Sequence, residues 1–410
     1  MSQLDEYHQL STLDRIGQQA VSPSAIVLKR LLKQVRHGRL VLSLPDGELI
    51  VANGPLPGPE AKITIVKWNS LRRLLTGGDI GFAQAYVEGE WTSPDLTSVI
   101  RFAARNRETL TATLRGSVWM RTLNRISHLL NANTRRGSRR NIEAHYDLGN
   151  DFYALWLDAS MLYSSAIWDE TTFSLESAQE QKLQRIAEKL ALEGGEKVLE
   201  IGCGWGALAS YLATHRNTHV TGITLSPSQL AWAKTAIENA GQNGVVDLHL
   251  QDYRDVQGQF ERIVSIEMFE AVGEAYWPDY FATLKRCLKP GGKAVLQIIS
   301  IEETRYESYR RKADFIQKFI FPGGFLPSDK VLERDLLKAG LVLKETEHFG
   351  HSYALTLAEW RQRFISNWPE IEQLGFDDKF RRLWEYYLCY CEGGFDEGAI
   401  NVGLYTIEHA

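Results

Sequence analysis

The sequence predicts an α/β fold, with a mostly parallel sheet covered by helices on both faces and a small mixed α+β domain before it. From residue 174 onward, short apolar runs alternate with segments of helical periodicity, which is the order of a doubly wound sheet. A glycine-rich stretch follows the first apolar run directly, where open α/β sheets bind nucleotides. Residues 1–125 lack this alternation, so we expect them to form a separate domain.

The predicted sheet elements lie in the second part of the chain. A Ser177-x-x-Glu180 pattern resembles a helix capping box, and the helix that it opens ends at Glu193-Gly194-Gly195. Apolar runs predict strands at 197–201, 219–224, 245–250, 262–266 and 293–299. Helices are predicted between them at 207–213, 227–240 and 276–288.

The first 125 residues contain the signals of a hairpin and two helices. Residues 39–44 and 48–51 flank a Pro45-Asp46-Gly47 turn, which favours a β-hairpin. A third strand is predicted at 62–66 and helices at 69–75 and 95–104, with a break at Gly77-Gly78. A basic stretch follows, interpreted as a linker at 126–140 that is either solvated or in contact with anionic lipid head groups. Its arginines are Arg121, Arg125, Arg135, Arg136, Arg139 and Arg140.

The composition excludes several classes of function. The 410 residues suffice for two or three domains, at roughly 100–200 residues each. The formal net charge of −5 gives no reason to expect a nucleic-acid-binding surface. No apolar run reaches the ~18 residues that span a bilayer, and the N-terminus lacks a signal-peptide core, so a cytoplasmic protein is expected. The four cysteines show no disulfide framework, and no metal site is predicted.

The strongest local signal is the glycine loop at 202–206, which follows Glu200 in a buried strand. Glycines allow positive φ and a close approach of a ligand to the backbone. A dinucleotide is one candidate ligand, but dinucleotide enzymes place Asp or Glu after the second strand, where this chain has Gly222-Ile223-Thr224-Leu225. S-adenosylmethionine fits Glu200 and the Gly-x-Gly-x-Gly spacing better. A glycine loop that binds no ligand is the third alternative.

Seven sequence blocks, in this order, carry a family resemblance. They are HYDLGNDFY (145–153), MLYSSA (161–166), EIGCGWG (200–206), GITLS (222–226), MFE (268–270), IFPGG (320–324) and FGHSY (349–353). With them, residues 141–410 resemble the cyclopropane fatty acid synthases, which include the mycolic acid cyclopropane synthases. The resemblance implies a Rossmann-like class I methyltransferase domain with a seven-stranded sheet over 141–410. Residues 1–125 resemble the less distinctive leading domain of the bacterial members, and we interpret them as a lipid-access domain.

The resemblance also implies which residues hold S-adenosylmethionine. The glycine loop and the ends of the neighbouring strands supply most of them. The expected cofactor residues are Tyr163, Ser164, Glu200, Gly202, Cys203, Gly204, Gly206, Thr224, Gln229, Asp252 and Tyr253. Outside the family match, Tyr163 and Tyr253 would be interpreted as core aromatics.

The implied chemistry is the addition of a one-carbon unit to an alkene. An isolated alkene is a poor nucleophile, so the protein must align it with the donated methyl group and exclude water. Aromatic walls can stabilise the resulting carbocation through cation–π contact. The family is thought to use a bound bicarbonate as the base that removes a proton and closes the ring. Its ligands map to Glu270, Tyr353, Cys203, Gln297 and the backbone of Ile299.

One residue departs from the family pattern. Gln297 stands where the family has histidine, and glutamine can donate a hydrogen bond to an anion but cannot titrate. The bicarbonate site is therefore expected to be altered or absent. The leading hypothesis is cyclopropane formation, and the alternative is methylation to a methyl- or methylene-branched chain.

The lipid side of the prediction is an apolar acyl pocket. Residues 315–321, rich in phenylalanine, precede Pro322-Gly323-Gly324 and are interpreted as a lid or as a core helix. The expected substrate is an unsaturated phospholipid acyl chain, reached from the inner face of the membrane. A non-catalytic lipid-binding protein and a methyltransferase for a soluble small molecule are the rival hypotheses. The sequence leaves a homodimer open.

Overall fold

A computed structural model describes residue 28, residues 32–113 and residues 148–410 of the chain. The side chains of residues 111–113 are outside this description. The predicted basic linker at 126–140 and the arginines on either side of it also lie outside the described residues. Two units follow each other along the described part of the chain, and they are taken in turn.

The N-terminal unit is a four-stranded sheet packed against helices. Its elements are β1 (His37–Ser43), β2 (Leu49–Asn53), β3 (Leu56–Ile65), α1 (Asn69–Val87), β4 (Trp91–Thr92), α2 (Leu96–Arg105) and α3 (Arg107–Thr113). The strand order is β2-β1-β3-β4. β1 and β2 pair antiparallel with Leu42 opposite Ile50, which confirms the predicted hairpin. β3 runs parallel to β1.

The predicted helix break at Gly77-Gly78 is wrong. α1 continues to Val87 with a kink, because Gly78 adopts φ 61° and ψ −141° inside the helix. A residue with a side chain would be strained in that conformation. The second predicted helix is confirmed as α2, and Asp95 caps it by accepting a hydrogen bond from the Ser98 N–H at 3.0 Å.

The second unit contains a seven-stranded mixed sheet with helices on both faces. Its strands are β5 (Lys197–Ile201), β6 (His219–Thr224), β7 (Val246–Leu250), β8 (Phe260–Ile266), β9 (Leu288–Ile301), β10 (Leu341–His348) and β11 (Ile400–His409). Its helices are α4 (Asn150–Ala154), α5 (Leu175–Lys189), α6 (Ala207–Arg216), α7 (Pro227–Asn239), α8 (Trp277–Cys287), α9 (Glu303–Tyr309), α10 (Phe315–Phe319), α11 (Asp329–Lys338), α12 (Gly350–Ser366), α13 (Trp368–Gln373) and α14 (Asp378–Asp396). The predicted α/β fold is confirmed.

The strand order places the loop after β5 at the centre of the sheet. The order is β10-β11-β9-β8-β5-β6-β7, in which β5 to β9 are parallel and β11 is antiparallel to both of its neighbours. The chain builds one half of the sheet from β5 to β7 and then crosses to β8 on the other side. Such a switch point opens a crevice at the carboxyl ends of the strands, where ligands bind.

Helix α14 packs against α1 and α2 and connects the two units. The Thr97 hydroxyl donates to the Glu392 carboxylate at 3.0 Å, and both side chains are buried. The Tyr86 hydroxyl donates to Glu385 at 3.0 Å. One apolar cluster contains residues of both units, so they share a core. Among the described residues, no helix combines the length and apolar character needed to cross a bilayer.

Candidate active site

The glycine loop turns sharply at the carboxyl end of β5. Gly202 and Gly204 adopt φ of 87° and 52°, which residues with a Cβ rarely tolerate. A Cβ on Gly202 would lie 3.0 Å from the Met268 side chain. The N–H groups of Gly202 and Cys203 both donate to the Ile223 carbonyl oxygen at 2.9 Å, which fixes the loop to the end of β6.

Several predicted cofactor residues line one end of a cavity beside this loop. The Thr224 hydroxyl donates to the Gln229 side-chain oxygen at 3.0 Å, and both side chains are buried. Tyr253 lies at the end of β7 with its ring against Tyr280 at 5.3 Å. The predicted residues that line the cavity are Tyr163, Gly202, Gly204, Thr224, Gln229 and Tyr253, and Leu225 and Gln251, which were not predicted, lie with them.

Other predicted cofactor residues lie behind the cavity wall. Asp252 is paired with the Arg254 guanidinium at 2.6 Å. A Cβ on Gly206 would meet Ala233 of α7 at 3.1 Å, so this glycine serves helix packing. The Ser164 hydroxyl accepts a hydrogen bond from the Lys182 ammonium at 2.7 Å. The residues that do not line the cavity are Ser164, Glu200, Cys203, Gly206 and Asp252.

Cys203 does not support the ligand role predicted for it. Its N–H already donates to Ile223, and its side chain packs against Gly222 in an apolar cluster. Burial raises the pKa of the Cys203 thiol well above its usual value, so the thiol stays protonated. This correction leaves Cys203 as a packing residue of the loop.

Glu200 is buried in β5, and burial raises its pKa to about 8. The unfolded chain ionises near its usual 4.5, so Glu200 destabilises the folded protein progressively as the pH rises from about 4.5 to 8. We expect Glu200→Gln to gain stability relative to wild type over this window, at about 1.4 kcal/mol per pH unit at most. Urea unfolding at several pH values measures this difference. A difference that stays constant with pH contradicts the expectation, and exposed Glu238→Gln is the control.

A cavity of about 680 Å³ extends from the glycine loop into the N-terminal unit. It passes Glu267 and Glu270 at the ends of the central strands and then reaches the apolar face of β1 and β3. Its apolar walls include Leu40, Leu42, Ile63, Ile65, Leu71 and Phe82 of the first unit and Ile299, Ile316, Phe321 and Tyr387 of the second. Such a space can hold a long apolar chain beside the cofactor site.

The segment predicted as a lid borders this cavity. α10 is only five residues long, and Asp314 caps it by accepting a hydrogen bond from the Gln317 N–H at 2.9 Å. Phe315 is buried in the shared core, whereas Ile316 and Phe321 line the cavity. The segment is therefore both a core element and a part of the cavity wall.

Glu267, which was not predicted, is the most strongly coordinated carboxylate of the site. Its Oε1 accepts hydrogen bonds from the Ser165 N–H at 2.8 Å and from the Gln297 amide at 2.7 Å. Its Oε2 accepts from the Tyr353 hydroxyl at 2.6 Å. Two of the predicted anion ligands, Gln297 and Tyr353, thus bind a carboxylate of the protein itself.

Glu270 lies three residues later and also lines the cavity. Its Oε1 accepts from the Ile299 N–H at 2.5 Å, while its Oε2 has no hydrogen-bond partner among the described residues. Burial, and then the charge of Glu267, raise the pKa of Glu270 to about 8. Glu270 is therefore protonated at neutral pH and can donate a hydrogen bond.

The bicarbonate implied by the resemblance does not fit this arrangement. The donors of Gln297 and Tyr353 are engaged by Glu267, and the Ile299 N–H is engaged by Glu270. An added anion would also lie beside a buried carboxylate, and like charges at close range are unfavourable. The geometry provides a carboxyl pair where a bound anion was expected.

A buried lysine provides the opposite charge behind the site. Lys182 of α5 is fully buried, and its ammonium donates to the Ser164 hydroxyl. Burial lowers its pKa to about 8, while the charges of Glu267 and Asp158 act in the opposite direction. Lys182 therefore remains protonated at neutral pH and balances the charge of Glu267.

Sequence reasoning could have found Glu267 but not Lys182. Glu267 directly follows a predicted buried strand, at the sheet edge where open α/β sheets bind ligands. Lys182 sits inside an amphipathic helix pattern, and nothing distinguishes it there from an exposed lysine. Ser165 contributes through its backbone, which the sequence cannot indicate.

A family model and curated relatives match the chain over most of its length. Residues 133–404 match the family model described as mycolic acid cyclopropane synthetase. Tuberculostearic acid methyltransferase UfaA1 of Mycobacterium tuberculosis is 36% identical over 401 residues, which cover 95% of this chain and 92% of that protein. The cyclopropane-fatty-acyl-phospholipid synthase of Escherichia coli is 36% identical over 352 residues, which cover 84% and 86%.

Solved structures share the fold of the second unit. The mycolic acid cyclopropane synthase CmaA1, solved with S-adenosylhomocysteine and CTAB, superposes with a TM-score of 0.62 at 28% identity. The match covers 66% of this chain and 97% of that one. Coclaurine N-methyltransferase, at 18% identity and a TM-score of 0.60, shares the fold alone.

Proposed function

The chain belongs to the mycolic acid cyclopropane synthetase family and is an S-adenosylmethionine-dependent methyltransferase, and we propose that it modifies the cis double bond of unsaturated phospholipid acyl chains. The proposed product is a cyclopropane, formed by addition of a methylene unit. The proposal includes a peripheral position at the cytoplasmic face of the membrane, since an acyl chain must leave the bilayer to enter the cavity.

The observation that carries the proposal is the continuity of the cavity. The same space is bounded by Gly202 of the cofactor loop and by the apolar sheet of the N-terminal unit. A methyltransferase for a soluble small molecule needs no apolar extension of this length. A lipid carrier without activity would not need Thr224 and Gln229 beside the loop, and titration with S-adenosylhomocysteine separates that case.

S-adenosylmethionine fits the loop and the residues around it. Gly202 and Gly204 leave room for close approach of the ligand, and Thr224, Gln229 and Tyr253 offer polar and aromatic contacts on the other wall. When bound, the cofactor supplies an electrophilic methyl group. The protein holds the alkene next to that group and excludes water with the apolar walls around it. The cavity-facing rings of Tyr353, Tyr387 and Phe321 favour positive charge on the substrate.

The direct test uses purified protein, S-adenosylmethionine and phosphatidylglycerol vesicles with either monounsaturated or fully saturated chains. We expect release of S-adenosylhomocysteine with unsaturated vesicles only, and mass spectrometry should show the gain of one CH2 per modified chain. Equal release with saturated vesicles contradicts the proposal, because no alkene is then available.

A basic cluster at one opening of the cavity supports a phospholipid substrate. It consists of Arg107, Arg305 and Lys312, which all line the cavity, and exposed Lys312 brings the cavity to the surface. The Arg305 Nε is buried without a hydrogen-bond partner among the described residues, and burial and the charge of Arg107 lower the pKa of its guanidinium. Asp79 and Asp314 line the same end and offset part of the charge. A phosphate group would satisfy the free donor.

We expect Arg305→Gln to raise the KM for phosphatidylglycerol vesicles about tenfold, since a charge-assisted hydrogen bond contributes about 1.5–3 kcal/mol. The affinity for S-adenosylhomocysteine should stay unchanged. Arg311→Gln is the matched control, because Arg311 is exposed and pairs with Glu307 outside the cavity. Equal effects of the two variants would remove the headgroup role.

A methyl-branched product is the second candidate. The similarity to tuberculostearic acid methyltransferase extends over 95% of the chain, compared with 84% for the cyclopropane synthase of Escherichia coli. Gln297 in place of the family histidine also favours this candidate. Proton NMR of the modified lipid separates the two, because only a ring gives strongly shielded methylene signals.

A further inference from the structure

We propose that Glu267 is the general base of the reaction and that its carboxylate takes the place of bicarbonate. The inference rests on the proposed function and specifies how the ring closes. Glu267 lines the cavity between the cofactor loop and the apolar channel. Its carboxylate is held by the side chains of Gln297 and Tyr353, which the resemblance assigns to the bicarbonate.

The backbone of Glu267 is held in an unusual conformation. Its φ is +49°, which is uncommon for a residue with a long side chain and stores strain of order 1–3 kcal/mol. The Glu267 N–H donates to the Gln297 carbonyl oxygen at 2.9 Å, and the carboxylate accepts the Ser165 N–H at 2.8 Å. Backbone and side chain are thus fixed from both sides, and the strained turn keeps the carboxylate at the cavity wall.

The charges around Glu267 favour its ionised form over that of Glu270. Three hydrogen bonds and the charge of Lys182 lower the pKa of Glu267 and oppose the rise that burial causes. Glu270 accepts one backbone hydrogen bond, and its pKa is raised to about 8. When two neighbouring carboxyl groups share one proton, the better-coordinated group is the anion. Glu267 is therefore the base and Glu270 the protonated partner.

The step balances without any added reactant. The alkene π electrons form a bond to the donated carbon as its bond to sulfur breaks, and sulfur keeps that electron pair. A C–H bond of the transferred carbon then breaks, its electrons close the second C–C bond, and the proton moves to Glu267. Carbon-bound hydrogen next to a carbocation is acidic, so a hydrogen-bonded carboxylate is a sufficient base. Gln297 and Tyr353 act as positioning residues for this carboxylate.

The test compares wild type, Glu267→Gln and the control Glu345→Gln, whose exposed carboxylate pairs with Lys189. Ring formation on monounsaturated phosphatidylglycerol vesicles is measured with and without bicarbonate. We expect the wild-type rate to be independent of bicarbonate and Glu267→Gln to lose about 100-fold or more, with unchanged affinity for S-adenosylhomocysteine. The residual product of the variant should shift from ring to acyclic lipid.

Three results would overturn the inference: a wild-type rate that rises with bicarbonate, a near-normal rate of Glu267→Gln, or a variant product with the wild-type ring fraction. The bicarbonate comparison needs no variant, so it stands even where Glu267→Gln fails to fold. Glu267→Asp, which keeps a carboxylate, should recover part of the rate. A wild type that modifies no lipid in either buffer contradicts the proposed function instead.

Discussion

Gly202→Val is expected to weaken binding of S-adenosylhomocysteine by 100-fold or more. Gly202 has φ 87°, and a Cβ there would press on Met268 at 3.0 Å, on the wall that faces the cofactor site. Strain of order 1–3 kcal/mol adds to this clash, and each 1.4 kcal/mol changes affinity tenfold. Isothermal titration calorimetry measures the affinity directly.

The matched control is Gly241→Val. Gly241 also has a positive φ, 67°, but a Cβ there meets no atom within 4 Å, and the residue lies outside the cavity. It should lose stability through backbone strain while keeping its affinity for the cofactor product. If Gly202→Val binds as tightly as Gly241→Val, the loop is not the cofactor site.

Leu42→Trp is expected to reduce turnover on phospholipid about 100-fold while leaving cofactor affinity intact. Leu42 is buried in β1 and faces the cavity, so an indole there fills the space proposed for the acyl chain. Displacement of the alkene by about 1 Å from the reacting carbon can reduce the rate 100-fold. Steady-state kinetics on vesicles, together with calorimetry, separates lipid from cofactor effects.

The control for the blocked channel is Val51→Trp on the neighbouring strand β2. Val51 is 43% exposed, so the new ring extends into solvent. Val51→Trp should behave as wild type. Full activity of Leu42→Trp would mean that the acyl chain does not enter the N-terminal unit.

The elements of the fold could be predicted where the pattern is local. The Pro45-Asp46-Gly47 hairpin and the strand before Gly202 carry their own turn and periodicity signals, and both are present. The continuation of α1 past Gly78 could not be predicted, because a glycine at that kink is compatible with either a break or a bent helix.

The site divides in the same way. Gly202, Thr224 and Gln229 lie close to the ends of adjacent parallel strands, so topology alone brings them together. Asp252 also follows a strand, but the neighbouring Arg254 pairs with its carboxylate. Such competition between close side chains depends on coordinates that a motif does not contain.

The environment of Glu267 could not be predicted, because its partners are far apart in the chain. Ser165 precedes it by 102 residues, and Tyr353 follows it by 86. The apolar surface of β1 and β3 presents a similar difficulty. Its alternating pattern predicts one buried face but not that this face borders a cavity shared with the second unit.

The central claim is that one cavity holds the cofactor and an acyl chain side by side. A crystal structure with S-adenosylhomocysteine and a monounsaturated phospholipid tests it most directly. The account predicts the sulfur next to Gly202, the double bond between that sulfur and Glu267, and the chain running on towards β1 and β3. A cofactor bound away from residues 202–206, or a chain that avoids the N-terminal unit, would contradict it.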